Sequence, residues 1–150
     1  MDIKSSEERS RNMARIRSED TKPEMFIRKK LFAAGYRYRI HKKGLPGKPD
    51  LFLKKYNTAI FIHGCFWHRH KNCKLAYTPK SNMEFWQKKF SANTERDRRQ
   101  TEELQNMNIR VLIIWECTIR KMMTNSEYSA EVMRQIDEFL HSQTEFYREL

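Results

Sequence analysis

The sequence predicts one mixed α/β domain, a sheet of strands flanked by helices, and three observations carry that expectation. Short runs rich in β-branched and aromatic residues recur at positions 36–40, 51–53, 58–62 and 109–115. The segments around them open on helix-capping patterns, and no linker or internal repeat divides the chain. At 150 residues there is enough chain for one real core and too little for two full-sized lobes, so residues 1–150 read as a single domain.

Residues 1–20 form a basic arm. Within it, Ser5 and Glu8 fit a capping box, Met13 and Ile16 are the main apolar residues, and Arg9, Arg11, Arg15 and Arg17 carry charge. Such a segment can lie on DNA or stand as a solvated leading helix. Thr21-Lys22-Pro23-Glu24 is a second capping box, with proline where the first turn tolerates it, and the helix it opens passes through Phe26, Ile27, Leu31 and Ala34 to a stop at Gly35. Glu24 then sits in a first turn, where a carboxylate is usually structural.

Residues 36–40 alternate apolar side chains with arginine, the mark of a strand with one wet face. The glycine- and proline-rich loop 43–49 delivers Asp50 at the head of Leu51-Phe52-Leu53, and Tyr56-Asn57 turns the chain into a strand over 58–62, making a hairpin with a carboxylate at its entrance. Ser81-Asn82-Met83-Glu84 is a third capping box, opening a long helix to about Asn106 that carries Phe85, Trp86, Phe90 and Leu104 beside Lys88, Lys89, Arg96, Arg98 and Arg99. The nearly continuous β-branched run 109–115 suits a central strand covered on both faces, and a last helix over 127–141 offers Val132, Ile136, Phe139 and Leu140 to the core.

Charge narrows the function. Thirty Lys and Arg against nineteen Asp and Glu leave +11, which for a chain of this size points to a polyanion, nucleic acid first. Phe66, Trp67 and Trp86 in polar surroundings add groups able to stack on bases. No run approaches a membrane span and the N-terminus lacks the apolar core of a signal peptide, so a cytoplasmic location is expected. Three cysteines in a reducing compartment suggest metal ligation over a disulfide.

Cys65, His70 and Cys73 fall in one loop and Cys117 ends a buried strand; three thiolates and an imidazole complete a tetrahedral set for structural zinc. By residue type alone His68 serves as well as His70, and scattered reduced cysteines remain an alternative. Asp50 suggests a second, harder site, since a carboxylate at a strand edge can hold Mg²⁺ that keeps most of its waters, although an aspartate ending a turn is commonly a turn residue.

The ordered motifs Gly-Leu-Pro-Gly-Lys-Pro-Asp at 44–50, His-Gly-Cys-Phe-Trp-His at 63–68, Glu-Phe-Trp at 84–86, Asn-Thr-Glu-Arg-Asp at 93–97 and Trp-Glu-Cys at 115–117 resemble the very short patch repair (Vsr) DNA mismatch endonucleases from about Arg9 to Arg120. The resemblance implies a restriction-endonuclease-like fold and a nick on the 5′ side of the thymine in a T·G mismatch left by 5-methylcytosine deamination. It implies that Asp50 and the backbone carbonyl of Ile62 hold Mg²⁺, that His68 is the acid-base residue, and that Glu24 and a His63 with Asp97 pair support the site. It assigns structural zinc to Cys65, His70, Cys73 and Cys117, a base-stack wedge to Phe66, Trp67 and Trp86, and groove-facing positions to Lys89 and Asn93.

Two departures from the family pattern stand out: the spacing between His70 and Cys73, and Ile62 in place of a threonine. The wider nuclease fold uses an acid-x-lysine pair on its second strand; Ile60 and Ile62 stand there, and His68 takes over the lysine's role. The expected partner is double-stranded DNA bound by a monomer, with functional links to a cytosine-5 methyltransferase and mismatch-repair proteins. One rival follows from charge and aromatics alone, a zinc-stabilised DNA-binding module without cleavage; a second is a nuclease indifferent to mismatches.

Overall fold

The structure, a computed structural model, describes residues 19–150, so the basic arm lies outside the described residues apart from Glu19 and Asp20. Five strands form one sheet in the order β1-β2-β3-β4-β5. β1 (Arg39–Ile40), β2 (Leu51–Leu53) and β3 (Thr58–His63) pair antiparallel in turn, while β4 (Arg110–Trp115) and β5 (Tyr147–Glu149) continue parallel to β3. This is the mixed sheet the sequence predicts.

Strand alternation sorts side chains into two cores. Leu51, Leu53, Ile60, Leu112 and Ile114 point to one face and pack with Ile27 and Leu31 of α1 (Lys22–Ala33), Ile119 and Met122 of α3 (Glu116–Thr124), and Val132, Ile136 and Phe139 of α4 (Ser126–His141). Phe52, Ala59, Phe61, Val111, Ile113 and Trp115 point to the other face, which Leu104 of α2 (Met83–Asn106) and Cys65 cover. β4 is buried on both faces, as its unbroken apolar run requires.

Thr21 caps α1, accepting from the Glu24 N–H at 3.3 Å. The Glu24 carboxylate does not return to Thr21; it accepts the Asp20 N–H at 3.1 Å. Of the 36–40 run only Arg39–Ile40 pairs, because Tyr36 turns into the core and its hydroxyl bonds Asp137. The third capping box does not form: Asn82, left-handed at φ 53°, precedes α2 with no side-chain cap, and its carbonyl takes the Trp86 N–H. The last helix starts at Ser126 with Asn125 as its cap. α3 and β5 are additions to the sequence reading. Cys117 accordingly lies in the first turn of α3, two residues beyond the end of β4, rather than on the strand.

Candidate active site and metal centre

Gly47 makes the approach to Asp50 possible. It sits at φ +76°, and a Cβ there would come within 3.0 Å of Gln100 Oε1 and 3.1 Å of the Phe61 ring. Two hydrogen bonds then anchor Asp50: its carbonyl accepts the His41 N–H at 3.2 Å, and its Oδ2 accepts the Ile62 N–H at 2.7 Å. The hairpin thus joins Asp50 to the end of β3. Burial pushes the Asp50 carboxyl up to about 7; the Ile62 N–H opposes this, and the charge and hydrogen bond of Glu24 reinforce it.

Glu24 is buried at the start of α1, one turn before Arg28, whose Nη2 donates to Glu24 Oε2 at 3.2 Å and pairs with Asp20 at 2.8 Å. His41 Nε2 closes this group, 3.1 Å from Arg28 Nη2 and 3.7 Å from Glu24 Oε2. Arg28 and His41 had no motif to betray them. His41 is visible only once the chain bends at its left-handed backbone, φ 45°.

β3 ends at His63, and Gly64 begins the loop that carries the next histidines. His63 is buried, and burial, with the nearby His68 charge second, drives its pKa down to about 3, so it is neutral at physiological pH. The His68 ring stacks on it at 3.8 Å with planes 5° apart. His68 Nδ1 lies 2.6 Å from Asp97 Oδ2. Asp97 therefore bonds His68 directly, not His63, and His63 supports by stacking. With Nδ1 engaged by a carboxylate, Nε2 is the nitrogen left to exchange a proton.

Helix periodicity explains the spacing of Asn93 and Asp97. Trp86, Phe90, Asn93, Asp97, Gln100 and Leu104 are the inward-facing positions of α2, at steps of three and four. Along that stripe Asp97 reaches His68, and Asn93 Nδ2 donates to the Trp67 carbonyl at 3.3 Å. Lys89 lies off the stripe and is exposed.

On the other side of the loop, donor atoms of Cys65, His70, Cys73 and Cys117 all lie within 4.8 Å of one another. His70 Nδ1 stands 3.6 Å from Cys65 Sγ and 3.4 Å from Cys117 Sγ. A tetrahedral zinc with bonds of about 2.3 Å to sulfur and about 2.1 Å to nitrogen needs a sulfur-to-nitrogen edge of about 3.6 Å, so this donor set fits that ion. The His70 ring stacks on Trp115 at 4.1 Å, which leaves Nδ1 facing the sulfurs. Here the histidine that joins the cysteines is His70; His68 is committed to Asp97.

Phe66, Trp67 and Trp86 are half-buried and meet as a cluster, with ring centroids 5.0 Å (Phe66–Trp67), 5.8 Å (Phe66–Trp86) and 6.0 Å (Trp67–Trp86) apart. They are neither core nor free. Exposed Phe85 packs edge-on against Trp86 at 5.3 Å.

Residues 1–75 match the family model described as DNA mismatch endonuclease Vsr. The chain is 42% identical over 135 residues to the type II nicking enzyme V.NmeAIP of Neisseria meningitidis serogroup A, covering 90% of this chain and 96% of that one. It is also 42% identical over 119 residues to the DNA mismatch endonuclease Vsr of Escherichia coli K12, covering 79% of this chain and 76% of that enzyme. The type II nicking enzyme V.XorIIP of Xanthomonas oryzae is 40% identical over 115 residues, 77% of this chain and 84% of its own.

The chain belongs to the Vsr family. Membership gives the +11 charge a DNA-directed purpose and makes this a DNA endonuclease of the mismatch class. Among the described residues no helix is long and apolar enough to cross a membrane.

Proposed function

We propose that this Vsr-family chain is a Mg²⁺-dependent endonuclease that nicks the strand 5′ to the thymine of a T·G mismatch. The observation that carries the reading is the 2.6 Å His68–Asp97 hydrogen bond on a loop continuous with β3, beside the strand end that Asp50 grips. Phosphodiester hydrolysis needs a base for the attacking water, and His68 Nε2 takes that proton while Asp97 holds the ring and stabilises the imidazolium. His63, neutral and stacked, fixes the ring plane without competing for the proton.

Asp50 and the Ile62 carbonyl are the ligands proposed for Mg²⁺. The Ile62 N–H points at Asp50, and strand geometry sends a residue's carbonyl to the same edge as its N–H, which supports the pairing. Glu24 neighbours Asp50 and helps raise its pKa, so the Asp50 carboxylate gains from a cation beside it. When bound, the ion neutralises charge on the phosphate and its leaving oxygen. Glu24, fixed by Arg28, orients the site from behind.

Cys65, His70, Cys73 and Cys117 are proposed to hold one structural zinc in a closed site, tying the catalytic loop to the first turn of α3. Phe66, Trp67 and Trp86 are proposed to enter the base stack beside the mismatch. Unstacking costs a few kcal/mol per step and least at a mispair, so the wedge itself discriminates. T·G pairs left by 5-methylcytosine deamination link the activity to a cytosine-5 methyltransferase. Asp50→Ala tests the reading: nicking should vanish while mismatch binding persists, and full nicking by this variant would overturn the assignment.

A further inference from the structure

Arg69 follows the proposed base, and as a basic residue beside a scissile phosphate it invites assignment as a phosphate clamp. Its hydrogen bonds forbid this. Nη1 donates to the carbonyls of Phe66 at 3.3 Å and Tyr77 at 2.9 Å, and Nη2 donates to the Ala76 carbonyl at 3.1 Å and Thr78 Oγ1 at 3.1 Å. A guanidinium has four Nη hydrogens, and four acceptors inside the protein use them. The group also lies 3.9 Å over the Phe90 ring, with Arg69 itself at φ 55°. It is a bracket joining the 66–69 loop to residues 76–78.

What the bracket holds is Tyr77. Its ring is 64% exposed and lies against Phe66, centroids 4.9 Å apart with planes tilted 38°. The hydroxyl makes no hydrogen bond among the described residues, although a tyrosine used to close a core usually finds a partner. Ordering an aromatic side chain on the surface through three contacts to its own segment has little value for the fold alone. The ring continues the Phe66, Trp67 and Trp86 cluster outward, and exposed Lys74 and Lys80 stand three residues to either side of it in the chain.

We propose that Tyr77 is a further aromatic contact to the DNA base stack, held out by Arg69 as a positioning residue. The proposal rests on the wedge reading given above, and extends it by a residue on a separate segment. Stacking fits better than a protein partner because the flanking groups are lysines, which suit phosphates on either side of a base.

The test is equilibrium binding of zinc-loaded protein to a T·G duplex and its paired counterpart, with 2-aminopurine beside the mismatch reporting unstacking. Tyr77→Ala is expected to weaken T·G binding roughly tenfold and to lower the 2-aminopurine signal, with a smaller effect on paired DNA. Tyr77→Phe, which keeps the ring, should restore both. Arg69→Lys keeps the charge but not the planar fork, and should reproduce the Tyr77→Ala loss. If Trp67→Ala weakens T·G binding while Tyr77→Ala stays within twofold, the proposal fails and the wedge stands. If neither variant matters, the wedge reading fails with it. Equal losses on mismatched and paired DNA would make Tyr77 a backbone contact and overturn the stacking role, and an Arg69→Lys protein with full T·G affinity would remove the positioning role.

Discussion

Asp97→Asn isolates the His68–Asp97 pair with almost no change of shape. The two side chains are only 24% and 18% exposed, so their 2.6 Å contact is poorly screened by water. A hydrogen bond to a charged group contributes about 1.5–3 kcal/mol, and here the charge on His68 develops as the water loses its proton. Loss of that stabilisation in the transition state corresponds to a decrease of about 10- to 150-fold in rate. The assay is single-turnover nicking of a T·G duplex under saturating enzyme and Mg²⁺, so that binding does not enter. Mismatch affinity and zinc content should hold. Because Asp97 acts through His68, the His68→Ala and His68→Ala/Asp97→Asn proteins should nick at the same residual rate. An Asp97→Asn rate within threefold of wild type, or additive losses in the double variant, would refute the role given to the pair.

Burial, aided by Glu24, places the Asp50 pKa at about 7, so protons compete with Mg²⁺: the half-saturating Mg²⁺ concentration should rise by up to tenfold for each pH unit below about 7 and level off above, and the same value at pH 6 and pH 8 would contradict this. His63 has its pKa lowered from 6.5 to about 3, so between those values the unfolded state binds a proton that the folded state refuses, and stability falls as pH falls. From pH 6.5 to 4.5 the loss is about 2.3 kcal/mol, and denaturant unfolding of His63→Phe should show a shallower pH slope by that amount; equal slopes would show that His63 is not held neutral. Cys117→Ser should lose zinc by elemental analysis together with cooperative thermal unfolding, whereas a fully folded, metal-free wild type would exclude a structural ion.

The parts of the fold legible in the sequence were those written in short-range pattern. The Asp50 hairpin shows in the short apolar runs 51–53 and 58–62 on either side of Tyr56-Asn57, and the buried β4 in its run of β-branched residues. α3 was not legible because Glu116 follows β4 directly, with Trp115 at the cap position and no Gly, Pro or side-chain cap to mark the boundary. β5 has three residues of exposed and half-buried character and exists through its pairing with β4. The same limit applies at the site. The identity of the candidate residues followed from motifs, but Asp97's choice of His68 over His63 depends on how α2 lies across the loop, and three of Arg69's four bonds depend on residues 76–78 folding back. Arg28 and His41 converge on Glu24 from α1 and from beyond β1, a contact that spacing does not encode.

This Vsr-family chain is proposed to cut one strand at a T·G pair, using Asp50 and His68. The most direct test is nicking of a duplex panel, T·G, T·A, C·G and the other mispairs in varied contexts, with each strand separately end-labelled and with Mg²⁺ present or chelated. The expected result is a single Mg²⁺-dependent cut 5′ to the mispaired thymine, with the other strand intact and paired duplexes resistant. Equal cutting of T·A and T·G duplexes, cutting of both strands, or no cutting by zinc-loaded protein in Mg²⁺ would contradict it.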